Sequence, residues 1–226
     1  CTLGDQFSAQ VFADVPQPRC KVLANFGVGF NHIDVAAARA AGVTVTNTPG
    51  VLTEDTADMV MALILAVPRR LHEGAQIMDG GGFDGWTPTW MLGRRLAGKR
   101  LGIIGMGRIG TAVALRAYYG FGMKVAYFNR SKISVQRIPG AQSMDTIEDL
   151  METSDIISLH CPGGEANHGL ISASRIALMK PTAYLINAGR GDLVDEPALI
   201  AALPDGPGDI LRTAYRTRLG ERGAGS

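Results

Sequence analysis

Residues 101–110 read LGIIGMGRIG, an apolar run that meets glycines at 105, 107 and 110 and then continues at helical spacing. Few ten-residue patterns restrict a fold so sharply. The LGII run reads as a strand, and Ile109, Ala112, Val113 and Leu115 recur along one side of a helix. Strand, glycine turn and helix in that order begin a parallel βαβ unit. Each glycine has a physical role in such a turn. Gly105 permits the tight bend, Gly107 leaves room for a pyrophosphate to approach the backbone, and Gly110 lets the helix lie close to the sheet. The backbone of Gly105, Met106, Gly107, Arg108, Ile109 and Gly110 would then face phosphates, helped by the positive end of the helix. A plain strand–turn–helix without a ligand stays open as the rival.

The rest of the chain repeats the alternation. Strands are predicted at 21–27, 43–47, 100–105, 124–128, 155–160 and 183–187, and helices at 34–42, from Glu54 to Pro68, and at 108–119, 146–152, 172–179 and 195–203. The pattern predicts an α/β fold, a Rossmann-like doubly wound parallel sheet. Ala57, Val60, Met61 and Ile64 define one face of the helix from Glu54. Met59, Leu63 and Leu65 cover most of the rest, so that helix is expected to be enclosed nearly all round. Pro68 should kink or restart it. Residues 79–93, Gly-rich and holding Trp86 and Trp90, read as an exposed excursion. Periodicity stops after Leu203.

Composition excludes several classes. A net charge of +1 gives no reason for a nucleic-acid partner. No stretch approaches the roughly 18 apolar residues a membrane span needs. Three scattered cysteines, Cys1, Cys20 and Cys161, form no CxxC pair, so neither a disulfide framework nor a metal site is suggested. With no secretory signal pattern, a cytoplasmic setting is the default.

The end of the strand after the glycine turn indicates which nucleotide fits. An NAD site usually places a carboxylate there for the ribose 2′-hydroxyl. This chain has Asn129, Arg130, Ser131 and Lys132. A carboxylate about 4 Å from a 2′-phosphate would cost on the order of 4 kcal/mol at intermediate dielectric, whereas Arg130 and Ser131 would donate to it. NADP(H) is the expected cofactor, with NAD(H) possible. A solvated basic turn is the rival.

Four motifs in order carry a family resemblance: NFGVGFNHIDVAAARAAGVTVTNTPGVLTEDTAD, LGRRLAGKRLGIIGMGRIG, SLHCPGGEANHGLI and LINAGRGDLVDEPAL. From about residue 21 to 203 the chain resembles the D-isomer-specific 2-hydroxyacid dehydrogenases, most of all their glyoxylate/hydroxypyruvate reductase branch. The resemblance implies two Rossmann-like domains with a cleft between them. It divides the chain into a partial, flavodoxin-like substrate-binding domain at 1–53, an NAD(P)-binding domain at 54–205 that is incomplete at its C-terminal end, and an aberrant, disordered tail at 206–226. It implies that the N–H groups of Val28 and Gly29 hold the substrate carboxylate and that Arg190 grips the carboxylate and the 2-oxo group. Asn187, Ala188, Gly189, Arg190, Cys161 and Pro162 would line the nicotinamide side, and Thr56 would face the cofactor. Asn31 and His32 stand where the family often has Asp-Asn. Trp90, or else Trp86, would reach a partner subunit's cleft in a homodimer; simple packing is the alternative.

The family also uses a histidine that gives a proton to the carbonyl oxygen and a glutamate that holds it. After VDEPALIAAL the expected motif is replaced by PDGPGDILRTAYRTRLGERGAGS, and none of His32, His72, His160 and His168 lies in the expected place. His160, at a strand end, reads as a packed histidine. The resemblance therefore implies NAD(P)H-dependent reduction of a small 2-oxo acid to the D-2-hydroxy acid, in a chain that reads as truncated and whose own turnover should be weak or absent. The alternatives are a non-catalytic dinucleotide-binding module or a related phosphoglycerate or formate dehydrogenase.

Overall fold

The first fifty residues form helix α1 (Ala9–Asp14), strand β1 (Val22–Ala24), helix α2 (Val35–Ala40) and strand β2 (Thr44–Thr46) in the computed structural model. The structure describes residues 1–15, 17–131, 133 and 137–203, and the backbone of 212–215. Strands β1 and β2 pair in parallel with Leu23 opposite Val45, so α2 is the crossover between them. Asp34 starts α2 by accepting the Ala37 N–H, which satisfies one of the unpaired donors at the helix start. Gly42, at φ 75°, ends it: the Val43 N–H returns to Ala38 O at 2.8 Å, a closure that favours glycine at the left-handed position. The hydrophobic cluster of this unit is Phe12, Ala38 and Val43, and Ile33, Asn25 and His32 are buried as well.

Helix α3 (Thr53–Ala66) follows and buries Ala57, Val60, Met61 and Ile64, the face the spacing predicts. It is not enclosed all round, because Met59 is 60% exposed. The cause is that α3 packs mainly against a later helix, α5 (Arg108–Phe121), which leaves the side that carries Met59 uncovered. At Pro68 the chain breaks as expected. Arg70 takes a left-handed φ of 56° and α4 (Leu71–Asp79) starts anew. From 80 to 99 there is no helix or strand, and both tryptophans lie at the surface.

The second unit is built on β3 (Arg100–Ile104), β4 (Lys124–Phe128), β5 (Gln142–Ser143), β6 (Ile156–Leu159), β7 (Tyr184–Asn187) and β8 (Arg212–Tyr215). All pairs are parallel, in the order β5-β4-β3-β6-β7-β8. The chain leaves β3 for β4 and β5 on one side and returns to β6, β7 and β8 on the other. The carboxyl ends of β3 and β6 are therefore the topological switch point of the sheet. Alternation along β3 divides two cores. Leu101 and Ile103 join α3 and α5 on one face. Ile104 joins Ala126, Ile157, Leu159 and Leu185 on the other, beneath α6 (Ile147–Thr153), α7 (Ala173–Ala177) and α8 (Glu196–Ala202).

The periodicity predicts no element beyond Leu203, yet β8 forms there with Tyr215 opposite Asn187. The open edge of β7 offers backbone N–H and C=O groups, and a ladder on those needs no side-chain pattern. The expectation of disorder over 206–226 otherwise lies outside the described residues. Among the described residues no helix is long and apolar enough to cross a membrane.

Candidate functional site

The three glycines after β3 meet three different constraints. Gly105 has φ 95°, and a Cβ there would lie 2.8 Å from Cys161 N and His160 C, at the end of β6. Gly110 on α5 would place a Cβ into the Gly105 carbonyl and 3.1 Å from Ile103 Cγ2, so helix and strand close up only without a side chain. Gly107 differs: a Cβ there would meet nothing within 4 Å. It is the N-cap of α5, and no side chain caps the helix. The helix thus presents an uncapped, electropositive end to open space, at the switch point, which fits an anionic diphosphate. Met106 turns its side chain into the core, Ile109 leans on the same core, and Arg108 is exposed. Met106 and Ile109 therefore have mainly backbone to offer a ligand.

Beside this end lies the tip of β4. The Asn129 amide donates to Ser131 O at 2.9 Å and to Ser131 Oγ at 3.1 Å, folding the tip over while Arg130 and Ser131 stay exposed. Lys132 lies outside the described residues. Burial pushes the Cys161 thiol up, opposed by its own backbone N–H and by the nearby Arg130 charge. That interaction places Arg130 within electrostatic reach of the end of β6. Pro162 follows, its carbonyl accepting from Asn167 Nδ2 at 2.8 Å. His160 is packed, as the sequence suggests. Its Nε2 pairs with Ser158 Oγ at 2.9 Å, and burial pulls its pKa down to about 4.

Strand β7 ends in a turn that Asn187 folds on itself. Asn187 is buried; its Nδ2 donates to Arg190 O at 2.8 Å and its Oδ1 accepts the Gly189 N–H at 3.0 Å, while Ala188 packs on the core. The turn sends Arg190 across to the first unit. Its Nε reaches Asn31 Oδ1 at 3.4 Å, its Nη1 reaches Gly189 O at 3.3 Å, and its Nη2 occupies the space a Cβ on Gly29 would need.

The loop it meets is held by two asparagines, Asn25 and Asn47. Asn25 donates to Gly27 O at 3.1 Å and Gly29 O at 3.0 Å, and Asn47 donates to Val28 O at 2.8 Å. The carbonyls of Val28 and Gly29 are thereby tied back, and their N–H groups have no partner among the described residues. Two N–H groups without a described partner thus lie in the loop that meets the guanidinium, from parts of the chain about 160 residues apart, an arrangement suited to a small carboxylate. Thr56 is half-buried in the first turns of α3, and no described side-chain hydrogen bond ties it to the others. Trp90 stacks obliquely on Phe83, centroids 5.3 Å apart, and Trp86 stands free of ring contacts among the described residues. Asn25 and Asn47 give little sequence signal, because loop asparagines are common.

A family model described as "D-isomer specific 2-hydroxyacid dehydrogenase, NAD binding domain" matches residues 61–210. A glyoxylate reductase of Thermococcus litoralis is 46% identical over 194 residues, covering 84% of this chain and 58% of that protein. The TT0316 protein from Thermus thermophilus superposes with a TM-score of 0.81 at 43% identity, over 89% of this chain and 62% of that one. A D-lactate dehydrogenase from Aquifex aeolicus, complexed with NAD and lactic acid, gives a TM-score of 0.79 at 34% identity, over 89% and 59%. The chain therefore spans about three-fifths of the length of the relatives it matches.

Proposed function

The chain belongs to the D-isomer-specific 2-hydroxyacid dehydrogenase family, and from that premise we propose that it serves NADP(H)-dependent reduction of a small 2-oxo acid of the glyoxylate or hydroxypyruvate type. The observation that carries this reading is the packing of the Arg190 guanidinium against Gly29, whose N–H, like that of Val28, has no partner among the described residues, together with the uncapped end of α5. A bound reduced nicotinamide would supply the hydride. The chain's own residues do the rest. Val28 and Gly29 hold the acid's carboxylate through backbone N–H groups. Arg190 orients the 2-oxo group and stabilises the negative charge that grows on its oxygen. These residues bind and polarise; none of them is assigned the proton.

Gly105, Gly107 and Gly110 give the diphosphate its approach. Asn187, Ala188, Gly189, Cys161 and Pro162 form the wall on which the nicotinamide would rest. Arg130 and Ser131 favour a 2′-phosphate, and the same tip offers no carboxylate to a 2′-hydroxyl. In this reading 1–53 belongs to the substrate domain and 54–205 to the nucleotide domain. The working form is a cytoplasmic homodimer whose 71–92 segment carries its exposed apolar side chains to the partner.

Titration with the two reduced cofactors tests the assignment. NADPH should bind about tenfold more tightly than NADH, the worth of one charge-assisted hydrogen bond, and Arg130→Ala should erase the difference. Tighter NADH binding would refute the preference. Failure of both nucleotides to bind would refute the reading as a whole.

A further inference from the structure

We propose that Asp192 is a positioning residue for Arg190, acting through the Gly163 and Gly164 segment; the inference rests on Arg190 being the anion-gripping group. Arg190 holds its guanidinium by two long hydrogen bonds, 3.4 Å to Asn31 and 3.3 Å to Gly189. Bonds of that length fix a direction weakly. Its aliphatic stem is fixed far better. A Cβ on Gly163 would lie 2.8 Å from Arg190 Cγ and 3.0 Å from Arg190 Cβ, so the stem rests directly on the Gly163 backbone.

That backbone is in turn held by Asp192. The Gly164 N–H donates to Asp192 Oδ2 at 2.8 Å, a charge-assisted bond of the stronger kind. Asp192 Oδ1 faces the position of a Gly163 Cβ at 2.8 Å and is buried without a partner among the described residues. Asp192 also accepts the Gly169 N–H on its backbone carbonyl at 2.7 Å. Gly164 sits at φ 102°, and Asn167 closes the loop by donating to Gly164 O at 2.9 Å and Pro162 O at 2.8 Å. The Gly163 backbone thus packs against both the stem of Arg190 and the carboxylate two residues further along the chain. Without that carboxylate, the 163–164 segment loses its side-chain tie to the 190–192 turn, the backbone bond from Gly169 to the Asp192 carbonyl remains, and Arg190 loses the support that aims it at Gly29.

The test reads the arginine directly. In the 15N–1H spectrum of arginine Nε–H groups, the Arg190 signal is identified by its loss in Arg190→Lys. Asp192→Ala should move that signal to the position of solvent-exposed arginines. It should weaken binding of oxamate, an unreactive 2-oxo acid mimic, about tenfold and leave NADPH affinity within about twofold. Asp192→Asn keeps an acceptor oxygen and should restore both. An unmoved Arg190 signal in Asp192→Ala overturns the proposal. Should Asp192→Ala not fold, Asp192→Ser decides, since its shorter side chain cannot reach the Gly164 N–H that Asp192 Oδ2 accepts: a shifted Arg190 signal supports the proposal and an unshifted one ends it. If wild-type oxamate binding leaves the Arg190 signal unchanged, the oxo-acid reading fails, while the effect of Asp192 on the arginine is judged separately.

Discussion

The two units of this chain use the same grammar, parallel strands joined by helices, with opposite energetic results. In the six-stranded sheet, β3 is buried on both faces and two separate cores sandwich it. In the first unit a two-stranded parallel sheet has Val22 52% exposed, and its core is Phe12, Ala38 and Val43. Parallel strands depend on cover from both sides, and two of them alone bury too little to be stable in isolation. Stability and chemistry are therefore divided. The large unit supplies rigidity, and the small unit supplies the loop that faces Arg190.

The largest expected effect separates the two. Ile103→Ala, at a fully buried position, should lower the main denaturation transition by about 3–5 kcal/mol. Phe12→Ala should leave that transition within about 1 kcal/mol while abolishing hydrogen-exchange protection in 22–46. An equal drop in the main transition for both variants would mean the units unfold as one.

Acidity sharpens the contrast. The folded pKa of His160, about 4, lies below its ordinary value of 6.5. Unfolding therefore takes up a proton between those pH values, and the large unit loses stability as pH falls from 6.5 towards 4. The loss through this residue is about 3 kcal/mol at most. His160→Gln should flatten the pH dependence of stability over that window, read by denaturation at several pH values. An unchanged slope would show that the imidazole titrates normally.

Next come the glycines. Gly110→Ala forces a methyl into the Gly105 carbonyl and should cost about 1–3 kcal/mol of stability. Gly29→Ala meets only the mobile end of Arg190, so it should leave the melting temperature nearly unchanged and weaken oxamate binding at least tenfold, about 1.4 kcal/mol. The smallest effect belongs to Arg116, which joins α5 to Glu54 and Asp58 of α3 at 2.7 Å each. Arg116→Met should shift stability by under about 1 kcal/mol, as exposed pairs do; a larger loss would mean this bridge governs the packing of α3.

The large unit was legible because its strands are apolar on both faces and its helices carry period and caps. The strands at 100–104 and 124–128 follow directly from residue pattern, and the glycine turn from spacing. Met59 misled because an apolar side chain on a helix does not say whether a neighbour exists to cover it. β8 gave no signal because a sheet edge recruits backbone. At the site, Val28, Gly29 and Arg190 came from motif resemblance, and the structure brings them together. Asn25, Asn47, Gly163 and Asp192 escaped notice because their roles depend on loops that meet only in three dimensions.

The meeting of Arg190 with Gly29 has a thermodynamic corollary. A small acid held at once by both units acts as a rivet between them, and its binding free energy is linked to their docking. Saturating the chain with such a ligand should slow exchange of amides in 22–46 that make no contact with it, and by reciprocity anything that loosens the first unit should raise the ligand's dissociation constant.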